Sequence, residues 1–296
     1  MQRPYAADAP HPPIIAGAGE LMTRYTTILC DVWGVVHNGV RPYDSACDAL
    51  VRFREGGGTV VLITNAPVPD DRVAAMLDDR RVPRASWDAI VSSGDIALAE
   101  VARRGLVRLV QIGPRDRDIA LFRKLPRASV PIEDAEAIIC TGLVDDRNET
   151  AESYRPLLEQ ALARRLPFIC ANPDLVVDVG GTLYLCAGAI ADLYEHMGGE
   201  VYWCGKPHAS TYDTARRVAE GLRGGPVAAR EMLAIGDSLR TDLKGAERAG
   251  IDALFIASGI HRDELMGDGL LHGGRMADLF PPGSPPAIAA MPVLAW

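Results

Sequence analysis

The sequence lacks any long apolar segment. Its longest unbroken apolar runs, such as Ala253–Ala257, span about five residues, whereas a membrane-spanning helix needs about 20. The amino-terminal region also has no apolar segment of the kind found in secretion signals. These absences predict a cytoplasmic protein that neither crosses nor binds a membrane.

An excess of basic charge is also missing. The chain of 296 residues has 31 Lys and Arg against 39 Asp and Glu, which gives a formal net charge of −8. Binding to nucleic acid or to an anionic membrane surface needs a basic field, so the charge argues against both partners. An anionic small substrate stays open, because a bound metal ion can reverse the local sign of the charge.

The six cysteines do not form any Cys-x-x-Cys pair, which argues against the usual zinc and redox sites. They are best interpreted as small buried hydrophobic residues in a reducing compartment. The sequence also has no P-loop and no Gly-x-Ser-x-Gly motif. Nucleotide binding through a P-loop and serine-hydrolase chemistry are therefore not predicted.

Short apolar runs alternate with segments of helical spacing. Thr27–Val32 and Thr59–Ile63 have the pattern of buried strands, and Tyr43–Glu55 between them has apolar residues at helical spacing. The same alternation continues along the chain, which is typical of a parallel sheet covered by helices on both faces. The length suggests two domains. We therefore expect an α/β fold with two domains.

Polar side chains follow four of the predicted strands, where functional residues of open parallel sheets collect. They are Asp31, Thr64, Asn65, Lys206, Asp237 and Asp242. Carboxylates hold hard divalent cations such as Mg²⁺, and lysine and hydroxyl groups bind phosphate oxygens. A carboxylate also serves as the nucleophile in some phosphoryl transfers. The set therefore predicts phosphoryl chemistry with Mg²⁺.

Four motifs carry these residues in order: DVWGV, VLITN, GKP and GDSLRTD. The sequence thereby resembles the haloacid dehalogenase-like (HAD) hydrolases, which are mostly phosphatases. About 140 residues separate Thr64 from Lys206, far more than an ordinary connection, so a second domain is expected there. This placement resembles class IIA of the family, whose members include nucleotidase-like and p-nitrophenyl-phosphatase-like enzymes. A bacterial subgroup of that class also has Asp-x-Trp-Gly-Val in its first motif.

The resemblance implies a Rossmann-like core with an inserted α/β cap. The expected division is an amino-terminal arm at 1–23, the core at 24–88 and 201–280, the cap at 89–200 and a tail at 281–296. Class IIA proteins often pair through the cap, so the resemblance also implies a homodimer. The implied partner is a small phosphorylated substrate.

The resemblance assigns the catalytic and metal-binding roles as follows. Asp31 attacks phosphorus and becomes an aspartyl-phosphate. Asp31, the backbone carbonyl of Trp33 and Asp237 hold Mg²⁺. Asp242 supports the metal site or positions the lysine, although a carboxylate there also suits a helix cap.

The resemblance implies that the phosphate group is bound by Thr64, Asn65 and Lys206. For Asn65, a helix cap is an equally good interpretation. In the cap, Asn172 and Asp174 resemble an element of class IIA and are candidates for substrate specificity. The neighbouring polar cluster at 145–147 fits either a substrate-facing loop or a solvated one.

Trp33 departs from the family pattern. Most HAD phosphatases have Asp at this position, where it protonates the leaving alcohol, and the indole of Trp33 has no proton to exchange at neutral pH. His37 is a candidate replacement, but a loop histidine without a chemical role is the simpler interpretation. Two functions follow: an Mg²⁺-dependent phosphatase with weakened action on alkyl phosphates, or a phosphate-ligand-binding or sensing protein with little turnover.

Overall fold

The computed structural model describes residues 11–179, 182–267 and 270–296. The chain divides into two compact units. The first unit contains the described residues up to Thr64, together with Ala75–Ile90 and Tyr212–Trp296. The second unit contains Asn65–Ala74 and Val91–Thr211.

Strands and helices alternate along the described chain, as the sequence predicts. The strands are β1 (Thr27–Asp31), β2 (Thr59–Thr64), β3 (Ala89–Ser92), β4 (Leu109–Ile112), β5 (Ala137–Cys140), β6 (Phe168–Cys170), β7 (Val176–Val179), β8 (Thr182–Leu185), β9 (Val201–Trp203), β10 (Met232–Gly236), β11 (Asp252–Ile256), β12 (Met266–Gly267), β13 (Leu270–Leu271) and β14 (Ala289–Met291). The helices are α1 (Gly19–Met22), α2 (Asp44–Glu55), α3 (Asp70–Asp79), α4 (Ser93–Arg103), α5 (Ile119–Phe122), α6 (Arg155–Ala163), α7 (Ala187–His196), α8 (Ala209–Arg223), α9 (Lys244–Ala249), α10 (Arg262–Leu265) and α11 (Gly273–Leu279).

The core sheet has the strand order β14-β11-β10-β1-β2-β3 among the described residues. β1 lies in its centre and pairs in parallel with both β10 and β2. All residues of β1, β2 and β10 are buried, which explains why these strands appear as continuous apolar runs in the sequence. The prediction of an α/β fold with a parallel sheet is confirmed.

The second unit has a parallel sheet of its own, in the order β4-β5-β6-β9. Its apolar cluster joins residues of these strands to α6 and α7. The rings of Phe168 and Tyr194 lie 5.6 Å apart inside this cluster, and the Tyr194 hydroxyl donates a hydrogen bond of 2.7 Å to the carbonyl of Leu166. The second unit therefore has a hydrophobic core separate from that of the first.

Three strands depart from the predicted domain boundaries. β3 is an edge strand of the core sheet although it falls in the predicted cap, and β9 joins the second sheet although it falls in the predicted core. β14 pairs in parallel with β11, so the predicted tail at 281–296 contributes to the core sheet. The local pattern identifies a strand but not its partner, because long-range pairing decides which sheet an apolar run joins.

β7 and β8 pair with each other in an antiparallel hairpin, and residues 180–181 between them lie outside the described residues. The predicted arm contributes α1, and the arm's Ile14 forms a parallel bridge with Ala290. Residues 1–10 of the arm are outside the described part.

All six cysteines fall within the described ranges, where they are buried and form no disulfide. No helix among the described residues has the length and apolar character needed to cross a membrane.

Candidate active site

Three carboxylates meet at the carboxyl edge of the core sheet. Asp31 is the last residue of β1, Asp237 follows β10 directly, and Asp242 lies in a π-helical turn at Leu239–Leu243. All three side chains are buried, and one oxygen of each lies within 4.8 Å of the others. Because β1 and β10 are neighbouring parallel strands, residues some 200 positions apart in sequence come together as the sequence predicts.

Asp237 is held by a loop that the sequence did not identify. Its Oδ2 accepts a hydrogen bond of 2.8 Å from the backbone N–H of Ile260, in the loop after β11. A Cβ at Gly34 or at Gly259 would overlap this carboxylate, and Gly34 also has a φ of +85°. Glycine is therefore required at both positions. The only sequence signal was a glycine after a strand, which is common in loops.

Asp242 is fixed by hydrogen bonds at its Oδ2. The backbone N–H of Ser238 donates to this oxygen at 3.2 Å, and the Thr241 hydroxyl donates at 3.3 Å. The Ser238 hydroxyl caps the turn by accepting from the N–H of Thr241 at 3.4 Å. Ser238 is thus the N-cap residue of this turn, and Asp242 accepts a hydrogen bond from the backbone N–H of that residue.

The three carboxylates suit a hard divalent cation. Buried negative charges this close repel one another, and a cation with oxygen ligands removes that repulsion. Asp31 pairs in register with Ile63, so Thr64 follows one residue later at the same edge of the sheet. Thr64 is buried as well. The carboxylate set therefore fits a hard divalent cation such as Mg²⁺, and the metal contact through the carbonyl of Trp33 stays a prediction.

The loop after β1 is closed by its own hydrogen bonds. The N–H of Gly34 donates to the carbonyl of His37 at 2.8 Å, and the N–H of Gly39 donates to Nδ1 of His37 at 2.9 Å. Arg80 Nε donates to the carbonyl of Gly39 at 2.9 Å. The half-buried indole of Trp33 lies against Gly39, where a Cβ would be 3.2 Å from the indole nitrogen.

His37 is a neutral structural histidine in this loop. Burial, with a smaller effect from the Arg80 guanidinium, lowers its pKa from 6.5 to about 4. Its Nδ1 accepts the Gly39 hydrogen bond, as an unprotonated nitrogen must. An imidazole that stays neutral at pH 7 cannot deliver a proton as an imidazolium ion. The geometry therefore favours a loop histidine over a replacement acid.

This shift predicts a pH-dependent loss of stability. The folded state binds the proton near pH 4 and the unfolded state near 6.5, so stability is complete above pH 6.5 and falls between 6.5 and 4. At pH 4.5 the His37 contribution to the free energy of unfolding is expected to be lower by about 2 kcal/mol than at pH 7.

The comparison variant is His37→Asn, whose Oδ1 can accept the same hydrogen bond from Gly39. Urea unfolding of both proteins at pH 7 and 4.5 isolates the histidine, because every other titrating group is shared. We expect the wild type to lose more stability than the variant. Equal losses would show that the folded-state pKa is not depressed.

A second group of predicted residues meets within the second unit. The backbone N–H of Lys206 donates to Oδ1 of Asn65 at 2.7 Å. Nδ2 of Asn65 donates to the Lys206 carbonyl at 3.2 Å and to Oδ1 of Asp174 at 2.9 Å. Oδ1 of Asn172 accepts from the N–H of Asp174 at 3.1 Å. Both ends of the Asn65 amide thus engage protein groups, which favours neither a phosphate contact by this side chain nor a helix cap.

The polar cluster at 145–147 is organised by local contacts. Asp145 accepts hydrogen bonds from the N–H of Arg147 at 3.1 Å and from Nδ2 of Asn148 at 2.8 Å. Asp146 pairs with Arg117 at 2.8 Å. Asp145, Arg147 and Asn148 are exposed and Asp146 is half-buried, which favours the interpretation of a solvated loop.

Comparisons with known proteins agree with this geometry. The family model of the haloacid dehalogenase-like hydrolases matches residues 28–120, and a second model, HAD-hydrolase-like, matches residues 203–275. A solved structure from Brucella suis 1330, a hydrolase of the haloacid dehalogenase-like family, is 40% identical. The match covers 96% of this chain and 99% of that chain, with a TM-score of 0.80. The chain belongs to the haloacid dehalogenase-like hydrolases.

Two curated relatives are less similar in sequence. The 5'-nucleotidase YutF of Bacillus subtilis is 23% identical over 83% of this chain and 93% of its own length. The ribonucleotide monophosphatase NagD of Escherichia coli is 24% identical over 79% of this chain and 88% of its own length. Together with the inserted second sheet, these matches confirm the prediction of a HAD hydrolase with a class IIA cap.

Proposed function

We propose that this HAD hydrolase is an Mg²⁺-dependent phosphatase that acts on a small phosphorylated metabolite through an aspartyl-phosphate intermediate. The observation that carries the proposal is the buried cluster of Asp31, Asp237 and Asp242 at the carboxyl edge of the core sheet. Family membership and the names of the relatives, a 5'-nucleotidase and a ribonucleotide monophosphatase, support the same reaction class. The small size of the substrate and a homodimer rest on the class IIA resemblance.

In the proposed reaction a carboxylate oxygen of Asp31 attacks phosphorus, and the bond from phosphorus to the leaving-group oxygen breaks. Water then hydrolyses the resulting acyl phosphate, which releases phosphate and restores the carboxylate. Thr64 and Lys206 bind the phosphoryl oxygens, and Lys206 offsets their charge. Such charge stabilisation supplies most of the catalysis in phosphoryl transfer.

The metal would be held by Asp31, Asp237 and the carbonyl of Trp33, with Asp242 in support. A bound Mg²⁺ supplies positive charge that lets a carboxylate approach an anionic phosphate. The net charge of −8 makes this contribution important, because an acidic chain otherwise repels a phosphorylated ligand.

Trp33 narrows the substrate class. Without a side-chain acid at this position, the leaving oxygen must depart as an anion or take its proton from water. Aryl and acyl phosphates release acidic oxygens and are affected least, whereas alkyl phosphates lose the acid-base contribution of about 10²–10⁴-fold. We therefore propose that the preferred substrate has a good leaving group.

A second candidate function rests on the same residue. A site that holds the metal and phosphate but has Trp33 in place of the acid suits a phosphate-ligand-binding or sensing protein with little turnover. The two functions differ in one measurable result, the release of inorganic phosphate.

A phosphate-release panel with and without Mg²⁺ tests the proposal. With p-nitrophenyl phosphate and acetyl phosphate, we expect release in Mg²⁺, a fall to the background rate in excess EDTA, and recovery when Mg²⁺ is restored in excess. Tight phosphate binding without any release would support the sensor instead, and release unaffected by EDTA would contradict the metal requirement.

A further inference from the structure

We infer that Asn65 is a positioning residue, which fixes the backbone of Lys206 and ties it to Asp174. The inference rests on the proposed phosphatase function and changes the predicted role of Asn65, which the family resemblance gives as a phosphate ligand. Asn65, Lys206 and Asp174 all lie within the second unit.

The Asn65 side chain makes two hydrogen bonds to the backbone of Lys206. The side-chain oxygen accepts from the Lys206 N–H at 2.7 Å, and the side-chain nitrogen donates to the Lys206 carbonyl at 3.2 Å. The second proton of that nitrogen serves the bond of 2.9 Å to Asp174. Asn is suited to this position because an amide offers an acceptor and two donors on one short side chain.

The residues around these hydrogen bonds are buried and closely packed. Asn65 is 6% exposed and Lys206 is 3% exposed. Gly205, with a φ of +122°, lies so close that a Cβ there would be 2.6 Å from Oδ1 of Asn65 and 2.7 Å from Cδ of Pro173. The turn that contains Lys206 and the turn that contains Asp174 therefore both pack against the amide of Asn65.

This packing has a consequence for the lysine. Lys206 is buried, so its four-carbon chain has little room to compensate when the backbone moves, and the position of the ammonium depends on how firmly that backbone is fixed. Displacement by about 1 Å of a group that binds the reacting phosphate costs about 10²-fold in rate. A change at Asn65 should thus act on phosphate through Lys206, without any contact between Asn65 and phosphate.

An exchange of the two side chains separates positioning from direct contact. Asn65→Asp keeps an acceptor for the Lys206 N–H but turns carboxylate oxygens toward Asp174 and the Lys206 carbonyl, where they repel. Asp174→Asn keeps an acceptor for Nδ2 of Asn65. In the double variant the amide at position 174 can donate a hydrogen bond to the carboxylate at position 65. One Asn–Asp hydrogen bond is thus restored, and the total charge of the pair is the same as in the wild type.

The measurements are the affinity for inorganic phosphate in Mg²⁺, by calorimetry, and kcat with p-nitrophenyl phosphate. We expect Asn65→Asp to lower kcat by about 10²-fold and to weaken phosphate binding by about tenfold or more. Asp174→Asn should have a smaller effect. The double variant should recover at least about tenfold in kcat over Asn65→Asp, which is the non-additivity that a shared contact produces.

Asn148→Asp is the matched control, because Asn148 also donates from Nδ2 to an aspartate, at 2.8 Å on the exposed surface. It should leave both quantities unchanged, and thermal unfolding identifies any variant that fails to fold. A double variant that binds phosphate no better than Asn65→Asp overturns the positioning role. A wild type that binds phosphate without turnover contradicts the phosphatase proposal alone, since phosphate affinity still tests Asn65. A wild type that neither binds phosphate nor releases it from p-nitrophenyl phosphate overturns both.

Discussion

Asp31→Asn is expected to reduce phosphate release from p-nitrophenyl phosphate by about 10⁴-fold or more, as removal of an attacking side chain does in enzymes with a covalent intermediate. The amide nearly matches the carboxylate in shape, but it is a poor nucleophile. Asp31 is buried at the end of β1, and no other carboxylate of the described cluster ends a strand. The measurement is kcat/KM in saturating Mg²⁺.

Two comparisons separate the nucleophile from a metal ligand. Asp237→Asn removes a carboxylate of the same cluster, and its activity should recover in part as Mg²⁺ is raised, whereas Asp31→Asn should not respond. Asp48→Asn changes an exposed carboxylate on α2 that pairs with Arg52 at 2.9 Å, and it should leave the rate unchanged. Activity retained in Asp31→Asn would rule out the covalent route.

Trp33→Asp is expected to raise the turnover of an alkyl phosphate such as glycerol phosphate by about 10²-fold, at the lower end of the contribution of a general acid. The new carboxyl group can protonate the leaving alkoxide and then activate water. Turnover of p-nitrophenyl phosphate should change much less, because its leaving group needs no proton. The ratio of the two rates is the quantity to measure.

Trp33→Asn is the matched control. It removes the same indole from its contact with Gly39, and Asn is nearly equal in size to Asp but has no acidic proton. An equal gain in both variants would mean that the indole blocks the substrate. No gain in either folded variant would contradict the missing-acid explanation for Trp33.

The candidate catalytic carboxylates could be predicted from the sequence because they follow strands that are buried on both faces. Such strands are continuous apolar runs, and the first polar residue after the run marks the edge of the sheet, as Asp31 and Asp237 show. The helical spacing at Tyr43–Glu55 is also confirmed, since α2 spans Asp44–Glu55.

Features that depend on long-range partners could not be predicted in this way. Long-range pairing decides that β3 belongs to the core sheet and β9 to the second sheet. The loop that places Ile260 against Asp237 has no local sequence pattern. The role of Asn65 was obscured for the same reason, since its partners Lys206 and Asp174 lie more than 100 positions away in the sequence.

The pairing of β1 with β10 across the whole inserted segment has a consequence for how this chain folds and diversifies. The entropy cost of closing a loop grows only with the logarithm of its length, and doubling the loop adds about 0.6 kcal/mol. An inserted segment with its own hydrophobic core, built around residues such as Phe168 and Tyr194, thus adds little cost to the closure of the core sheet. Such a segment can lengthen, shrink or change its loops while β1 and β10 continue to bring the same carboxylates together, so new substrates can be acquired without rebuilding the chemistry.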